Sequence, residues 1–437
     1  MKLAASAFLS GAKSRLLPAS IPFRYFGTAV AFHLLAWVAL FAGADRLPRF
    51  AGGLGWPLAA LHLVTLGTLA MSAMGASVQL LPVATRQPLR STRAPALLWW
   101  LFTPGVALLA LGMGLAQPAL LGVGAVAVVV ALLGFGVLLG ANLAGARGMP
   151  GIVAHGWGAL AGLAVLLASA LALAGLWLGW PLPLARGSAL ALHVAFAAWG
   201  FMGLLALGLS YILVPMFALS AAPDERRVRA SAALAMTALA MVAGAALGVA
   251  PAPLRLTALA LGALAVALHL QLMRHALASG MRRELGRSFA LVKTGWGLLV
   301  TSLVLAAALV LDAPLPGLPT LFGLVLIGGW LLTFLLGFLQ RIVPFLASMH
   351  AGGRRPPTPS SLTSARPLAV HHACHLAALA LLAAAVLADS SLLARLGAAV
   401  GAAGALAYAV FFAGVLQRLR QTTRAAAPTP AAAAPQA

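Results

Sequence analysis

Acidic residues are scarce in this chain. Asp and Glu together contribute six of 437 residues, against 28 Lys and Arg. Charged residues of both signs make up only 8% of the sequence, whereas hydrophobic residues make up 62% and the mean hydropathy is +1.03. These values exclude a water-soluble globular protein, because so few polar side chains cannot cover its surface.

The lack of acidic residues extends to the interior of the apolar segments, none of which carries a carboxylate near its middle. A proton pump built on a chain of buried carboxylates is therefore disfavoured. The chain has one cysteine, Cys374, so an intramolecular disulfide is excluded. Histidine, with ten copies, is the remaining side chain that could bind a metal or a cofactor inside a membrane.

Long apolar segments predict an all-α, polytopic membrane bundle. A helix needs about 20 apolar residues to cross the hydrocarbon core of a bilayer, and the sequence contains twelve such segments, which we call spans 1 to 12. They lie at about 23–43, 56–82, 94–115, 118–144, 152–180, 187–218, 229–250, 255–277, 287–311, 318–345, 366–388 and 391–416.

The basic residues predict the orientation of the bundle. The net charge is +22, and 23 of the 28 Lys and Arg fall at the termini or in loops after even-numbered spans. The other five are Arg46, Arg49, Arg186, Arg255 and Arg395. This positive-inside bias places both termini in the cytoplasm of a bacterial-type inner membrane. The charge is thereby explained by contact with the lipid bilayer, and no nucleic-acid partner is predicted.

A spacing of glycine and proline occurs three times. In each copy a glycine is followed after eight residues by a second glycine and after seven more by a proline. The copies are Gly67/Gly75/Pro82, Gly200/Gly208/Pro215 and Gly329/Gly337/Pro344. They start 133 and 129 residues apart, on spans 2, 6 and 10. We therefore predict three pseudo-repeats of four helices, at about residues 22–150, 151–285 and 286–418.

The signature glycines have two interpretations. Glycines eight residues apart lie about 80° apart around a helix, so they can line one broad face. A neighbouring helix or a flat ligand could approach that face closely. The repetition indicates architecture and does not by itself indicate a cofactor.

The two ends of the chain are predicted to lie outside the membrane domain of residues 22–418. Residues 1–21 carry three basic residues around a short apolar stretch, which predicts a cytoplasmic interfacial segment. Residues 419–437 end in an Ala/Pro-rich sequence with no pattern that could pack, which predicts a disordered tail.

Histidines supply the candidate sites. His62 precedes its signature proline by 20 residues and His193 by 22, so the two occupy similar depths in equivalent spans, and His33 lies near the middle of span 1. These three are the candidate cofactor ligands. His371 and His375 are four residues apart on span 11, so both rings could face one metal ion. Each of these histidines could instead hydrogen-bond across helices without binding anything.

The layout resembles subunit I of the haem-copper oxidase superfamily, and more closely the NnrS-type haem- and copper-containing membrane proteins. Those proteins begin with a Pro-Phe-Arg run, matched by Pro22-Phe23-Arg24, and carry a His-x-His-Glu-Met-x-x-Gly motif on their second span. Here His62 matches the second histidine of that motif, whereas Ala60 and Leu63 replace the first histidine and the glutamate.

The resemblance implies haem as the cofactor and, less strongly, copper. It puts His62 at the low-spin haem position and His193 at the metal position of span 6. The span-10 and span-7 histidine pairs of the oxidases are missing, so oxygen or nitric oxide reduction by a full terminal oxidase is not expected. The resemblance instead implies respiratory redox chemistry with a redox partner protein, a nitric oxide response, or haem-protein assembly.

Two other functions stay open at this stage. One is a transporter or permease without a cofactor, although common twelve-span transporters repeat every six spans and this chain repeats every four. The other is a scaffold that has lost its haem. The sequence does not decide whether the protein is an enzyme.

Overall fold

The computed structural model describes residues 17–89, 91–181, 184–351 and 356–425. Within these residues the protein is an all-α bundle with twelve helices long and apolar enough to cross a membrane. We number them α1 to α12, and they correspond to spans 1 to 12. They are Ser20–Ala42, Trp56–Ala84, Arg93–Gly114, Pro118–Ala144, Pro150–Trp177, Arg186–Ala218, Glu225–Ala246, Pro251–Ser279, Gly286–Val310, Leu318–His350, Ala365–Leu387 and Ser391–Ala425.

The predicted spans and the helices agree to within a few residues, because proline, glycine and charged residues bound most of the apolar segments. The ends of the chain differ. Helix α12 continues to Ala425, past the predicted start of the tail at residue 419, and Leu419 packs against the core. Residues 1–16 and 426–437, which hold most of the interfacial segment and the tail, lie outside the described residues.

Helices α2, α6 and α10 are the most buried helices of the bundle. Their most apolar windows are 67%, 89% and 61% buried, whereas no other helix exceeds 50%. The central part of α10 contacts the central parts of both α2 and α6. These three helices, which carry the signature, therefore form the interior, and we call them the inner helices.

Each inner helix contains a π-helical segment at the same place relative to its signature. The segments are Leu63–Ala70 in α2, Phe196–Gly203 in α6 and Leu324–Leu332 in α10. Each ends three residues after the first signature glycine, and each signature proline lies inside the α-helix that follows. Because π-helical segments are rare and frequently mark functional sites, their threefold occurrence supports the predicted repeat.

The second signature glycine of each inner helix packs against the helix that precedes it. A Cβ on Gly75 would lie 2.7 Å from Cβ of Tyr25 in α1, and one on Gly208 would lie 2.8 Å from Cβ of His155 in α5. A Cβ on Gly337 would lie 2.7 Å from the backbone oxygen of Ser288 in α9. These glycines therefore permit close helix packing, as the first of the two interpretations predicts.

The first signature glycines have a similar environment. A Cβ on Gly67 would lie 2.6 Å from Cβ of Phe32 in α1, and one on Gly329 would lie 3.3 Å from Leu298 in α9. Gly200 lies close to Gly162 of α5. All six signature glycines thus lie on or near the contact with the preceding helix.

The same helix contacts occur three times around the bundle. Within each unit, the inner helix makes a large contact with the helix before it, and the third helix makes a large contact with the fourth (α3 with α4, α7 with α8 and α11 with α12). Between the units, α4 contacts α5, α8 contacts α9, and α12 contacts α1, which closes the ring. This pattern supports a threefold arrangement of four-helix units, although the repeat itself stays a prediction.

Candidate cofactor and metal sites

Two histidines of the inner helices lie next to each other. His62 is the seventh residue of α2 and His193 the eighth of α6. Their ring centroids are 6.3 Å apart and their ring planes are inclined by 30°. Both side chains are half-buried. The bundle thus brings together the two histidines that the sequence places at similar depths.

Hydrogen bonding fixes the tautomer of His62. Its Nδ1 is 3.0 Å from the backbone oxygen of Leu58, which can only accept, so Nδ1 carries the hydrogen and Nε2 keeps a free lone pair. Nδ1 of His193 is buried without a hydrogen-bond partner among the described residues. Leaving a buried polar atom unpaired costs about 1–3 kcal/mol. The pair therefore offers one free lone pair and one unsatisfied ring nitrogen.

The third inner helix contributes no ligand at the equivalent positions. These positions hold Phe322 and Leu324, as the sequence indicates. The ring of Phe322 is 5.8 Å from that of Trp199 in α6. Helix α10 therefore adds aromatic packing to this part of the interior, and the two imidazoles come from α2 and α6 alone.

A second cluster joins four helices. We call it the His371 cluster, and it consists of His33 from α1, Thr333 from α10, His371 and His375 from α11, and Tyr408 from α12. The ring centroids of His33 and His371 are 6.4 Å apart, those of His371 and His375 are 5.6 Å apart, and those of His371 and Tyr408 are 5.0 Å apart. Every member is at most 2% exposed.

Contacts around the cluster hold the rings of His371 and His375 in place. Nδ1 of His371 is 3.1 Å from the backbone oxygen of Gly404, so this nitrogen donates and Nε2 keeps a lone pair. The Thr333 hydroxyl lies 3.0 Å from the backbone oxygen of Gly328 and 2.8 Å from Nε2 of His375, and when it donates to the oxygen it accepts from Nε2. Nδ1 of His375 then keeps its lone pair.

Close packing of α11 on α12 positions His371. A Cβ on Gly404 would lie 2.9 Å from Cβ of Cys374, so the two helices approach closely only because residue 404 is glycine. The same approach brings the backbone oxygen of Gly404 within reach of the imidazole of His371. The local sequence of α12 therefore sets the orientation of a side chain on α11.

A third cluster surrounds Tyr211 of α6. Its hydroxyl lies 3.0 Å from Nδ1 of His269 in α8 and 3.2 Å from the hydroxyl of Ser231 in α7. The ring of His155 in α5 is 5.3 Å from that of Tyr211, and Nδ1 of His155 bonds the backbone oxygen of Gly151 at 2.8 Å. We call this set the Tyr211 cluster. It forms a hydrogen-bonded link between helices of the second unit.

The structure groups the predicted site residues differently from the sequence. It brings His62 and His193 together, and it places His33 beside His371, because α1 closes the ring against α12. The predicted metal pair His371 and His375 lies near the start of its helix but is fully buried. It is therefore shielded from the water and headgroups that usually surround helix ends.

Sequence reasoning missed the tyrosines of these clusters. The chain has only three tyrosines, Tyr25, Tyr211 and Tyr408, and each is at most 2% exposed. Tyr25 donates to the backbone oxygen of Pro95 at 2.6 Å, and Tyr211 bonds Ser231 and His269. The hydroxyl of Tyr408 has no partner among the described residues. The rarity of tyrosine within apolar spans was the available signal.

The described residues do not form a site for a metal ion that needs three or more protein ligands. Among the described residues, no group of three or more His, Cys, Asp or Glu side chains could hold one ion. The copper centre that the resemblance implies at His193 also lacks partners, because α7 contains no histidine. The residues present therefore do not fit that copper centre.

Comparison with known proteins does not assign the chain to a family. The chain matches no known family model and no curated protein. The fold establishes its class as a polytopic integral membrane protein of twelve helices.

Proposed function

We propose that this membrane protein binds haem between His62 and His193 and transfers electrons. The observation that carries the proposal is the 6.3 Å separation of the two ring centroids. Imidazole nitrogens bind metals at about 2.1 Å and lie about 1.1 Å from their own ring centres, so two imidazoles on opposite sides of one ion have centroids about 6.4 Å apart. The observed distance matches this value.

The number of ligands also favours haem over a bare ion. A structural zinc site needs four ligands, whereas haem iron already has four porphyrin nitrogens and needs only one or two from the protein. Two histidines are what α2 and α6 provide. The bond from His62 Nδ1 to the Leu58 oxygen acts as an outer-shell contact, which orients the ring and directs Nε2 to the ligand.

Two histidine ligands favour electron transfer over substrate reduction. A bound haem supplies a one-electron couple. If His62 and His193 both held the iron, the protein would leave no ligand position for oxygen or nitric oxide, and the haem would supply electron transfer. The absence of the span-7 and span-10 histidines is consistent with this role. On the resemblance to NnrS-type proteins, such electron transfer would serve respiratory redox chemistry, a nitric oxide response or haem-protein assembly, with a redox partner protein.

One observation favours a function without a cofactor. The signature glycines are occupied by helix packing, so they leave no evident slot for a flat ligand along those faces. A transporter, or a scaffold that has lost its haem, would have the same glycine contacts. Haem content distinguishes these alternatives.

The test uses the full chain, expressed with abundant haem and purified in detergent. We expect a reduced-minus-oxidised spectrum of a low-spin haem and extractable haem near one per chain. His62→Ala and His193→Ala should each remove the low-spin spectrum, and the double variant should lose the haem. His275→Ala is the matched control, because His275 is an exposed histidine of α8.

Two outcomes would contradict the proposal in different ways. Wild-type protein without haem would favour the transporter or scaffold alternative. Haem that stays bound and low-spin in the double variant would show that other residues are the ligands.

A further inference from the structure

The His371 cluster shares no residue and no helix with the proposed haem ligands. Its side chains come from α1, α10, α11 and α12, and the haem proposal uses none of them. Two of its imidazoles, His371 and His375, are four residues apart on one helix and are 0% and 2% exposed. The burial of so many polar side chains in an apolar bundle needs a physical explanation.

Hydrogen-bond accounting shows what the cluster lacks. Nε2 of His371 and Nδ1 of His375 are both buried without a partner among the described residues. Nδ1 of His33 and the hydroxyl of Tyr408 are unpaired as well. Buried polar atoms are nearly always paired with protein, water or a bound ion. The two ring nitrogens therefore need a hydrogen-bond partner or a metal cation.

The geometry of the two α11 rings suits a shared cation. Two imidazoles that meet one metal ion at about 120° have ring centroids about 5.5 Å apart. The centroids of His371 and His375 are 5.6 Å apart. The opposite nitrogen of each ring already has a hydrogen-bond partner, which is the Gly404 oxygen for His371 and Thr333 for His375. Such outer-shell bonds are typical of metal-binding histidines.

The surroundings indicate which cation would bind. The cluster contains no carboxylate, and a divalent ion held only by neutral side chains would bury two uncompensated charges. Zinc would also need four ligands, and no three suitable side chains among the described residues could hold one ion. Copper(I) carries a single charge, accepts imidazole nitrogen, and is stable with two or three ligands.

We propose that His371 Nε2 and His375 Nδ1 bind one copper(I) ion in the interior of the bundle, with His33 and Tyr408 lining the site. The single cysteine lies next to these ligands in the sequence, and thiolates also bind copper(I). Cys374 faces Gly404 of α12 and is not part of the proposed site. Experiments should therefore use a Cys374→Ser background, in which the chain has no thiol.

The test is metal binding by the purified, detergent-solubilised Cys374→Ser protein. Copper(I) is added under reducing conditions in competition with a chromogenic copper(I) chelator, and bound copper is measured by elemental analysis. We expect one copper per chain. Even outer-shell substitutions weaken metal sites about 10–100-fold, so His371→Ala and His375→Ala should each weaken binding at least tenfold. His275→Ala, which removes an exposed histidine, should bind as the parent does.

Each result decides the proposal. Copper binding that is lost in both α11 variants and kept in the control supports it, provided that gel filtration shows the variants to be folded. His371→Asn and His375→Asn, which keep polar side chains, replace any alanine variant that aggregates. No copper above background, copper that survives both substitutions, or tighter binding of zinc(II) in the same assay would overturn it. Haem content is read separately from its absorbance, so the two proposals fail independently.

Discussion

Gly75 has almost no free space around it. It lies in α2, where α1 crosses, and a Cβ at this position would be 2.7 Å from Cβ of Tyr25 and 3.4 Å from the ring of Phe26. Tyr25 is itself fixed by its hydrogen bond to the Pro95 oxygen of α3. The crowding atom is a Cβ attached directly to the backbone, so it can move away only if α1 moves.

We therefore expect Gly75→Ala to destabilise the protein by about 1–3 kcal/mol, which is the usual cost of overpacking. Gly297→Ala is the control, because a Cβ on Gly297 in α9 meets no atom within 4 Å. Alanine is a better helix former than glycine, so this change should be neutral or stabilising by up to about 1 kcal/mol. Thermal unfolding in detergent measures both, and equal stabilities of the two variants would contradict the packing explanation.

The histidines show which features of the candidate sites the sequence predicts and which it does not. The similar depths of His62 and His193 followed from their distances to the signature prolines, and the structure places them side by side. The i, i+4 spacing of His371 and His375 predicted neighbouring rings, and the rings are 5.6 Å apart. Their tautomers depend on Gly404 and Thr333, which belong to other helices, so no local pattern could have indicated them.

The sequence predicts where each helix begins and ends, but it does not predict the local backbone geometry within the helix. An apolar segment of about 20 residues between charged or turn-forming residues fixes the existence and limits of a spanning helix. The π-helical segments, such as Leu63–Ala70 of α2, contain the same apolar residues as ordinary α-helix. They lie where α10 contacts both α2 and α6 and where a signature glycine brings the preceding helix close.

The loops after α1 and α11 are joined by an exposed ion pair. Nε of Arg49 lies 3.0 Å from Oδ1 and 2.9 Å from Oδ2 of Asp389, and Nη2 also contacts Oδ2. The hydrogen bonds from Arg49 lower the pKa of the Asp389 carboxyl, and those to Asp389 raise the pKa of the guanidinium. The side chains are 84% and 48% exposed, so solvent and salt weaken the pair.

This pair predicts a small dependence of stability on acid. Because the carboxyl pKa is lowered by folding, its contribution is present above the ordinary Asp value of about 3.9 and is lost as pH falls through the lower folded value. A double-mutant cycle of Arg49→Gln and Asp389→Asn can be measured by thermal unfolding. At pH 7 it should give a coupling free energy near the lower end of the range for surface ion pairs. The coupling should decrease as pH falls below the ordinary Asp value and as salt is added, and a coupling that grows on acidification would contradict the assignment.

The arrangement of the whole molecule depends on contacts between distant parts of the sequence. His33 and His371 are 338 residues apart, and they meet because α12 packs against α1 and closes the ring. The glycine and proline signature predicted the division into units and identified α2, α6 and α10 as equivalent. It carried no information on the order of units around the ring, so the grouping of His33 with α11 could not be foreseen.

Contacts between loops divide the ends of the helices into two faces. On one face Arg49 of the α1–α2 loop bonds Asp389 of the α11–α12 loop, and Thr320 at the start of α10 bonds the Phe50 oxygen. On the other, His350 at the end of α10 bonds the Leu17 oxygen near the start of α1. Determining which compartment one loop faces therefore determines the orientation of the whole bundle.

The distribution of Lys and Arg predicts that the face holding Leu17 and His350 is cytoplasmic. In a Cys374→Ser background, Ala51→Cys in the α1–α2 loop should react with a membrane-impermeant maleimide added to intact bacterial spheroplasts. Ala222→Cys in the α6–α7 loop should react only after the membrane is permeabilised. Both positions are exposed, so poor labelling cannot be attributed to burial. The reverse labelling pattern would invert the bundle, and the excess of basic residues would then need an explanation other than retention on the cytoplasmic side.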